Sequence, residues 1–208
     1  MKISWIHDEN GAPRLRAEPE EYDAFPPVDA LLLDALPAHR DPDREALAAY
    51  LVFGRWASGE MTLPAAPSPQ LAGAIERDAH PVRVRPRDVE STPRALSRGE
   101  SLVNVVFDLP DLTPSTSTLA VVPGTAARGM LQAADLLLVP SNASVLDGIG
   151  AESLRARLGV AVLFAADIDA DVLRIARGAL TSEEHVRLAA LLLSVNLELR
   201  VDDASAPA

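Results

Sequence analysis

The chain has 208 residues, 48% of them hydrophobic and 24% charged, which suits a folded globular protein with one large core or two small ones. Its formal net charge of −11, with acidic residues crowding the first 45 positions, argues against non-specific binding to nucleic acid or anionic membranes. Cysteine is absent, which excludes disulfides, thiolate nucleophiles, Cys-ligated zinc and iron–sulfur clusters.

The basic side chains are 18 Arg and a single Lys, Lys2. Lysine chemistry, whether a Schiff base or a P-loop, therefore has almost nothing to draw on. The Arg-, Ala- and Pro-rich composition has the bias of a GC-rich bacterial genome. No apolar run approaches the roughly 20 residues that cross a bilayer. The opening MKISWIHDENG turns polar after six residues, unlike the apolar core of a secretory leader, so a cytoplasmic location is the expectation.

In chain order, residues 2–16 read as a hairpin around the turn pair Asn10-Gly11, with Pro13 placing the second strand at an edge. VDALLLDAL (28–36) is a short buried strand. Asp41-Pro42, followed by Asp43 and Glu45, opens a helix that runs to about Ala57, with an N-cap, a Pro at the first position and acids near the positive end of the dipole. Tyr50, Phe53 and Trp56 fall at helical spacing in an apolar helix and read as core. Ser68-Pro69 opens a second helix to about Asp78, and EMTLP between the two is a strand or a linker. PVRVRPRDVE (81–90) alternates apolar and basic residues, the period of a half-exposed strand that Pro86 confines to an edge. LVNVVFDL (102–109) is a further strand, and PDLTPSTST (110–118) is the natural boundary.

Beyond it the pattern predicts strand 118–122, helix 125–134, strand 135–139, helix 142–157, strand 160–165, helix 169–178, helix 182–195 opened by the capping-box-like Thr181-Ser182-Glu183-Glu184, and strand 197–201. Apolar strands alternating with helices point to a mostly parallel, Rossmann-like, three-layer α/β sheet. The expected division is an α+β region over 1–115 (hairpin, two helices, edge strands), a Rossmann-like region over 116–203 and a disordered tail over 204–208.

In such a sheet ligands bind outside the carboxyl ends of the strands. Three ends can be named: Gly124-Thr125, Ser141-Asn142 and Asp167–Asp169. The first two offer backbone N–H groups and hydroxyl or amide side chains at helix starts, a composition that attracts a small anion. Known phosphate motifs fail letter by letter. Gly124 and Gly129 have P-loop spacing, but Met130 and Leu131 stand where Lys and Ser/Thr are required, and no G-x-G-x-x-G occurs. N-capping, worth about 1 kcal/mol each, accounts for Thr125, Ser141 or Asn142, and Asp169 without a ligand. Asp167, Asp169 and Asp171 could hold Mg²⁺ only with further ligands, so no metal and no cofactor are assigned. The four His are scattered and form no H-x-x-x-H pair.

Arg77, Arg83, Arg85, Arg87, Arg94 and Arg98 lie within 22 residues of an otherwise acidic chain. They offer a surface for an anion or an acidic partner, with Arg83, Arg85 and Arg87 at its centre, unless neighbouring acids neutralise it. Two functions follow. The first is a non-catalytic accessory or binding subunit of a bacterial cytoplasmic system, acting through a protein partner or a second copy of itself. The second is a small-molecule enzyme holding a phosphorylated or nucleotide substrate at Gly124, Thr125, Ser141, Asn142, Asp167 and Asp169. Neither takes nucleic acid or a membrane as partner.

Overall fold

The computed structural model describes residues 1–95, 98–108, 116–127, 129–147 and 154–202. Strand β1 (Lys2–His7) pairs antiparallel with β2 (Pro13–Glu18), which pairs on its other side with β3 (Ala30–Leu32). Thus β2 is central rather than at an edge. Pro13 is accommodated as the first residue of the strand, opposite His7, where a missing N–H interrupts no ladder.

Helix α1 (Pro42–Phe53) begins as expected. The Asp41 carboxylate accepts hydrogen bonds from the backbone N–H of Asp43 and Arg44 at 2.9 and 3.0 Å. Every residue from Asp43 to Phe53 is buried, so α1 is the central helix of the molecule. A single turn of 3₁₀ helix (Gly54–Trp56) leads to β4 (Gly59–Met61), then to α2 (Pro69–Ala79), capped by Ser68. Strand β5 (Val84–Pro86) pairs parallel with β4.

The remaining strands form one six-stranded sheet, ordered β11-β10-β6-β7-β9-β8. Its members are β6 (Ser101–Val106), β7 (Thr118–Pro123), β8 (Leu131–Ala133), β9 (Leu136–Ser141), β10 (Ala170–Ile175) and β11 (Glu198–Val201). All neighbours are parallel except β8 and β9. Helix α3 (Ala143–Leu146) and α4 (Arg155–Phe164) connect β9 to β10, and α5 (Ser182–Leu193) connects β10 to β11. None of the described helices is long and apolar enough to cross a membrane. The fold is therefore mixed α/β, with a mostly parallel sheet and, among the described residues, five α-helices.

Four expectations are corrected. Residues 125–134 do not form a helix. Gly129 takes φ +79°, which L side chains rarely adopt, and its N–H is held by the Asp34 carboxylate at 2.8 Å. The chain then turns into the β8–β9 hairpin. The expected helix 142–157 is two helices, α3 and α4. The run VAVLFA (160–165) is helical through Phe164 and wholly buried; an uninterrupted apolar run satisfies a buried helix as well as a buried strand. Conversely, the first half of 169–178 is the strand β10, in which Leu173 and Ile175 are buried while Val172 and Arg174 face outward. The tail 204–208 and residues 109–115 at the expected boundary lie outside the described residues.

One buried apolar cluster runs from Met1 and Ile3 through α1 and α4 to Leu197 and Leu199. Helices α1 and α4 meet at Gly159, where an added methyl would sit 3.0 Å from the Ala48 carbonyl and 3.1 Å from Val52. Side chains alternate across the sheet. Val103, Leu119, Val121, Leu137, Val139 and Leu173 join this cluster, whereas Ala120, Val122 and Leu138 form a smaller one on the other face. Toward β10 and β11 that second face is polar. Arg174 donates to Asn104 at 2.6 Å, Asn104 to Thr116 at 2.7 Å, and Arg200 to Glu198.

Candidate functional site

Four of the six residues expected at the strand ends do come together. A cleft of about 400 Å³ at the carboxyl ends of β7 and β9 is lined by Gly124, Thr125, Ser141 and Asn142, with Leu32 and Asp34 on its far wall. Most of its polar groups are committed to the fold. Asn142 accepts from the Leu32 N–H at 2.7 Å and donates to the Ala30 carbonyl at 2.9 Å, extending β3 onto the end of the large sheet. Leu33 and Ser141 form a β-bridge beside it. The Gly124 N–H donates to the Ser141 carbonyl at 2.9 Å, and the Ser141 hydroxyl accepts from the Ala143 N–H. Helix α3, at four residues, adds little dipole. Asn142→Ala is expected to cost about 1 kcal/mol, the usual net worth of such bonds at a partly hydrated site, read from urea unfolding.

Asp167 and Asp169 lie elsewhere. Because 160–165 belongs to a helix, these residues precede β10 and sit at its amino end, the opposite edge from the cleft. The Asp167 carboxylate accepts from the Ala38 and His39 N–H groups at 2.9 and 2.7 Å and lies 3.2 Å from His39 Nδ1. It anchors the segment that runs from β3 to α1. Asp169 takes a left-handed conformation (φ +53°), and its carbonyl accepts from Glu100 and Ser101. Among the described residues no group of three or more His, Asp or Glu is arranged to hold a metal ion.

Near that edge the first turn of α1 carries a buried guanidinium. Arg44 is only 2% exposed, and its Nε and Nη2 have no hydrogen-bond partner. Burial pushes its pKa below the ordinary value, against the pull of Asp41, Asp171 and Asp169. Its neighbour Asp43 accepts from the Ser68 N–H at 2.7 Å and leaves Oδ2 unbonded.

The largest charged cluster joins four helices. Arg155 of α4 grips Asp78 of α2 bidentately, at 2.8 and 3.0 Å, and Glu184 of α5 at 2.6 Å. The Tyr50 hydroxyl of α1 donates to Asp78 at 2.6 Å, and Arg187 of α5 donates to it at 3.2 Å. Burial alone would raise the Asp78 carboxyl. The bonds from Arg155 and Tyr50 and the charge of Arg187 outweigh it and hold the group below the usual carboxylate range. Burial, then Asp78, pushes the Tyr50 hydroxyl up, so it is a fixed donor. Two acids face two arginines and every carboxylate oxygen has a partner, so this cluster works as a clasp. Sequence offered no signal for it: Asp78 and Arg155 are 77 positions apart, and only Glu184 stands in a recognisable capping motif.

The basic strip is divided. On β5 the alternation buries Val84 and Pro86 and exposes Arg83, Arg85 and Arg87. Arg87 is neutralised by Glu60 at 2.5 Å and Glu20 at 3.6 Å. The side chains of Arg83 and Arg85 have no hydrogen bond or ion pair among the described residues. Pro86 leaves the outer edge of β5 short of a donor, which disfavours strand addition there.

No protein family, curated protein or solved structure matches this chain. What separates its surfaces is their chemistry. The cleft is built mostly from polar groups already hydrogen-bonded, whereas beside β5 the guanidinium groups of Arg83 and Arg85 face solvent without a partner among the described residues.

Proposed function

We propose that the chain is a non-catalytic binding subunit of a cytoplasmic system, docking an acidic protein through β5. The observation that carries this is the exposure of Arg83 and Arg85 without partners, on a strand that Val84 and Pro86 pin to the core. Two guanidinium forks at a fixed spacing suit carboxylates. An overall charge of −11 disfavours acidic partners over most of the surface, so the strip biases the orientation of docking. A photoreactive benzophenone amino acid at Val89, exposed just beyond the strand, is expected to capture a discrete acidic protein in the source cell. Arg83→Glu with Arg85→Glu is expected to abolish that capture. Equal capture with both arginines reversed would overturn the proposal.

The alternative, a phosphorylated or nucleotide substrate at the strand ends, draws support from the cleft beside Gly124, Thr125, Ser141 and Asn142. It leans on a Rossmann-like, three-layer sheet, which gains little from a second face carrying Asn104, Arg174, Glu198 and Arg200. A ligand present at 100 times its dissociation constant adds about 2.7 kcal/mol of stability. Nucleotides or sugar phosphates with Mg²⁺ that raise the melting temperature by several degrees, with the rise lost in Ser141→Ala, would favour this alternative over the binding subunit.

A further inference from the structure

Between α2, α5 and the start of β5 runs a groove made of two adjoining hollows of about 250 and 400 Å³, which share Asp78, His80 and Arg187. Apolar side chains take part in its lining, Val82 and Val84 at one end, Ala190 and Val186 at the other. Val186 is 68% exposed. The lining also carries Arg55, Arg77, Arg155 and Arg187 against the acids Asp78 and Glu183, with Arg155 and Arg187 committed to Asp78 in the clasp. The side chains of Arg77 and His80 have no hydrogen bond or ion pair among the described residues. In a chain of net charge −11, this is a local cationic trough with a partly apolar lining.

The same chain presents a segment of opposite character. Residues 18–27 read EPEEYDAFPP, and Tyr22 and Phe25 stand 79% and 83% exposed, far from the usual place of aromatic rings. The segment is held rigidly. The Asp23 carboxylate accepts from the Ser58 and Glu20 N–H groups at 2.7 and 2.8 Å and pairs with the Met1 ammonium at 2.7 Å, and the Ala24 N–H donates to the Trp56 carbonyl. Two rings are thus presented on a fixed loop at little ordering cost. Glu21 beside them is exposed and without a partner among the described residues.

We propose that this acidic aromatic loop seats in the cationic groove of a second copy of the chain, giving a reciprocal dimer. Tyr22 and Phe25 cover Val82, Val186 and Ala190, and Glu21 meets Arg77. The loop is anchored on Trp56 and Ser58, and the groove is bounded by Arg55 and Ala57. The two therefore flank the same short segment, and a two-fold axis beside it places each loop on the other copy's groove, the geometry of a self-complementary interface. The inference uses Val82 and Val84 at the start of β5 but not the arginines of the β5 reading, since Arg83 and Arg85 do not line the groove.

Sedimentation of the full chain over a concentration series tests it. The mass is expected to rise from 22.1 kDa toward twice that value, with high salt weakening the association. Tyr22→Ala with Phe25→Ala should leave a folded monomer. Arg77→Glu and Glu21→Arg should each weaken association by about tenfold or more, and combining both in one chain should restore it. All four positions are exposed, so each variant is expected to keep the parent's circular dichroism and unfolding midpoint. A chain monomeric at every concentration, a dimer indifferent to these changes, or a double variant as weak as the singles would each overturn the proposal. Capture at Val89 is read separately, so failure here leaves the β5 reading standing, and the reverse also holds.

Discussion

Replacing Arg155 with Ala is expected to cost about 3–5 kcal/mol, the range for removing one partner from a buried ion pair. Arg155 satisfies both oxygens of Asp78 and one of Glu184. Its loss leaves two carboxylates enclosed by α1, α2, α4 and α5 with only Arg187, which is partly exposed, to balance them. In a protein of this size the change should lower the melting temperature by about 10 °C. The pH dependence adds a second readout. The folded Asp78 carboxyl titrates below its ordinary value of 3.8, so its stabilisation is present above that pH and is lost as pH falls through the folded pKa. Without Arg155, burial dominates and the carboxyl titrates higher, so acid unfolding should begin at higher pH than in the parent. Denaturant midpoints measured across the acid range check both. A variant within about 1 kcal/mol of the parent, the scale of an exposed pair, would show that the clasp adds nothing beyond surface ion pairs.

Arg44→Met is expected to act in the opposite direction, stabilising the protein by about 1–3 kcal/mol, the cost of burying unpaired polar groups. The Arg44 guanidinium is desolvated and its Nε and Nη2 are unbonded. The charges of Asp41, Asp171 and Asp169 oppose that burial through space. Because burial outweighs those charges, removing the cation relieves more than it forfeits. Met keeps most of the apolar stem that packs in the first turn of α1. A rise in the urea midpoint with an unchanged slope would confirm the sign; a fall would mean that the three aspartates need Arg44 as counter-charge.

Much of the fold was legible because capping and periodicity agreed. Asp41-Pro42, Ser68-Pro69 and Thr181 mark the starts of α1, α2 and α5, and all three cap as read. The β1–β2 hairpin and the strands β6, β7, β9 and β11 follow from β-branched or leucine runs between turn residues. The failures lie where one signal had to decide alone. VAVLFA is apolar throughout and says nothing about period, and the helix it forms moved the next element as well. Asp167 and Asp169 consequently changed ends of the sheet. The Ala-rich stretch 126–134 has helical propensity, but Asp34, distant in sequence, holds Gly129 in a conformation that ends any helix. Asn142 was legible as a polar residue at a strand end, though not as the residue that hydrogen-bonds to Ala30 and Leu32. That role depends on chain 110 positions away.

The strand order also bears on how the chain is made. β6 lies between β7 and β10, yet β7 follows it closely while β10 begins only at Ala170. During synthesis one flank of β6 therefore stays open until the last fifth of the chain emerges. Until then Val103 and Val105 lie on a strand paired on one side only, with the backbone groups of its other flank free to join another chain. Parallel pairing at such separation is slow to close. The nascent protein is thus most exposed to misassembly in the interval before β10 docks, and release of a chain truncated ahead of Ala170 would leave that flank permanently bare.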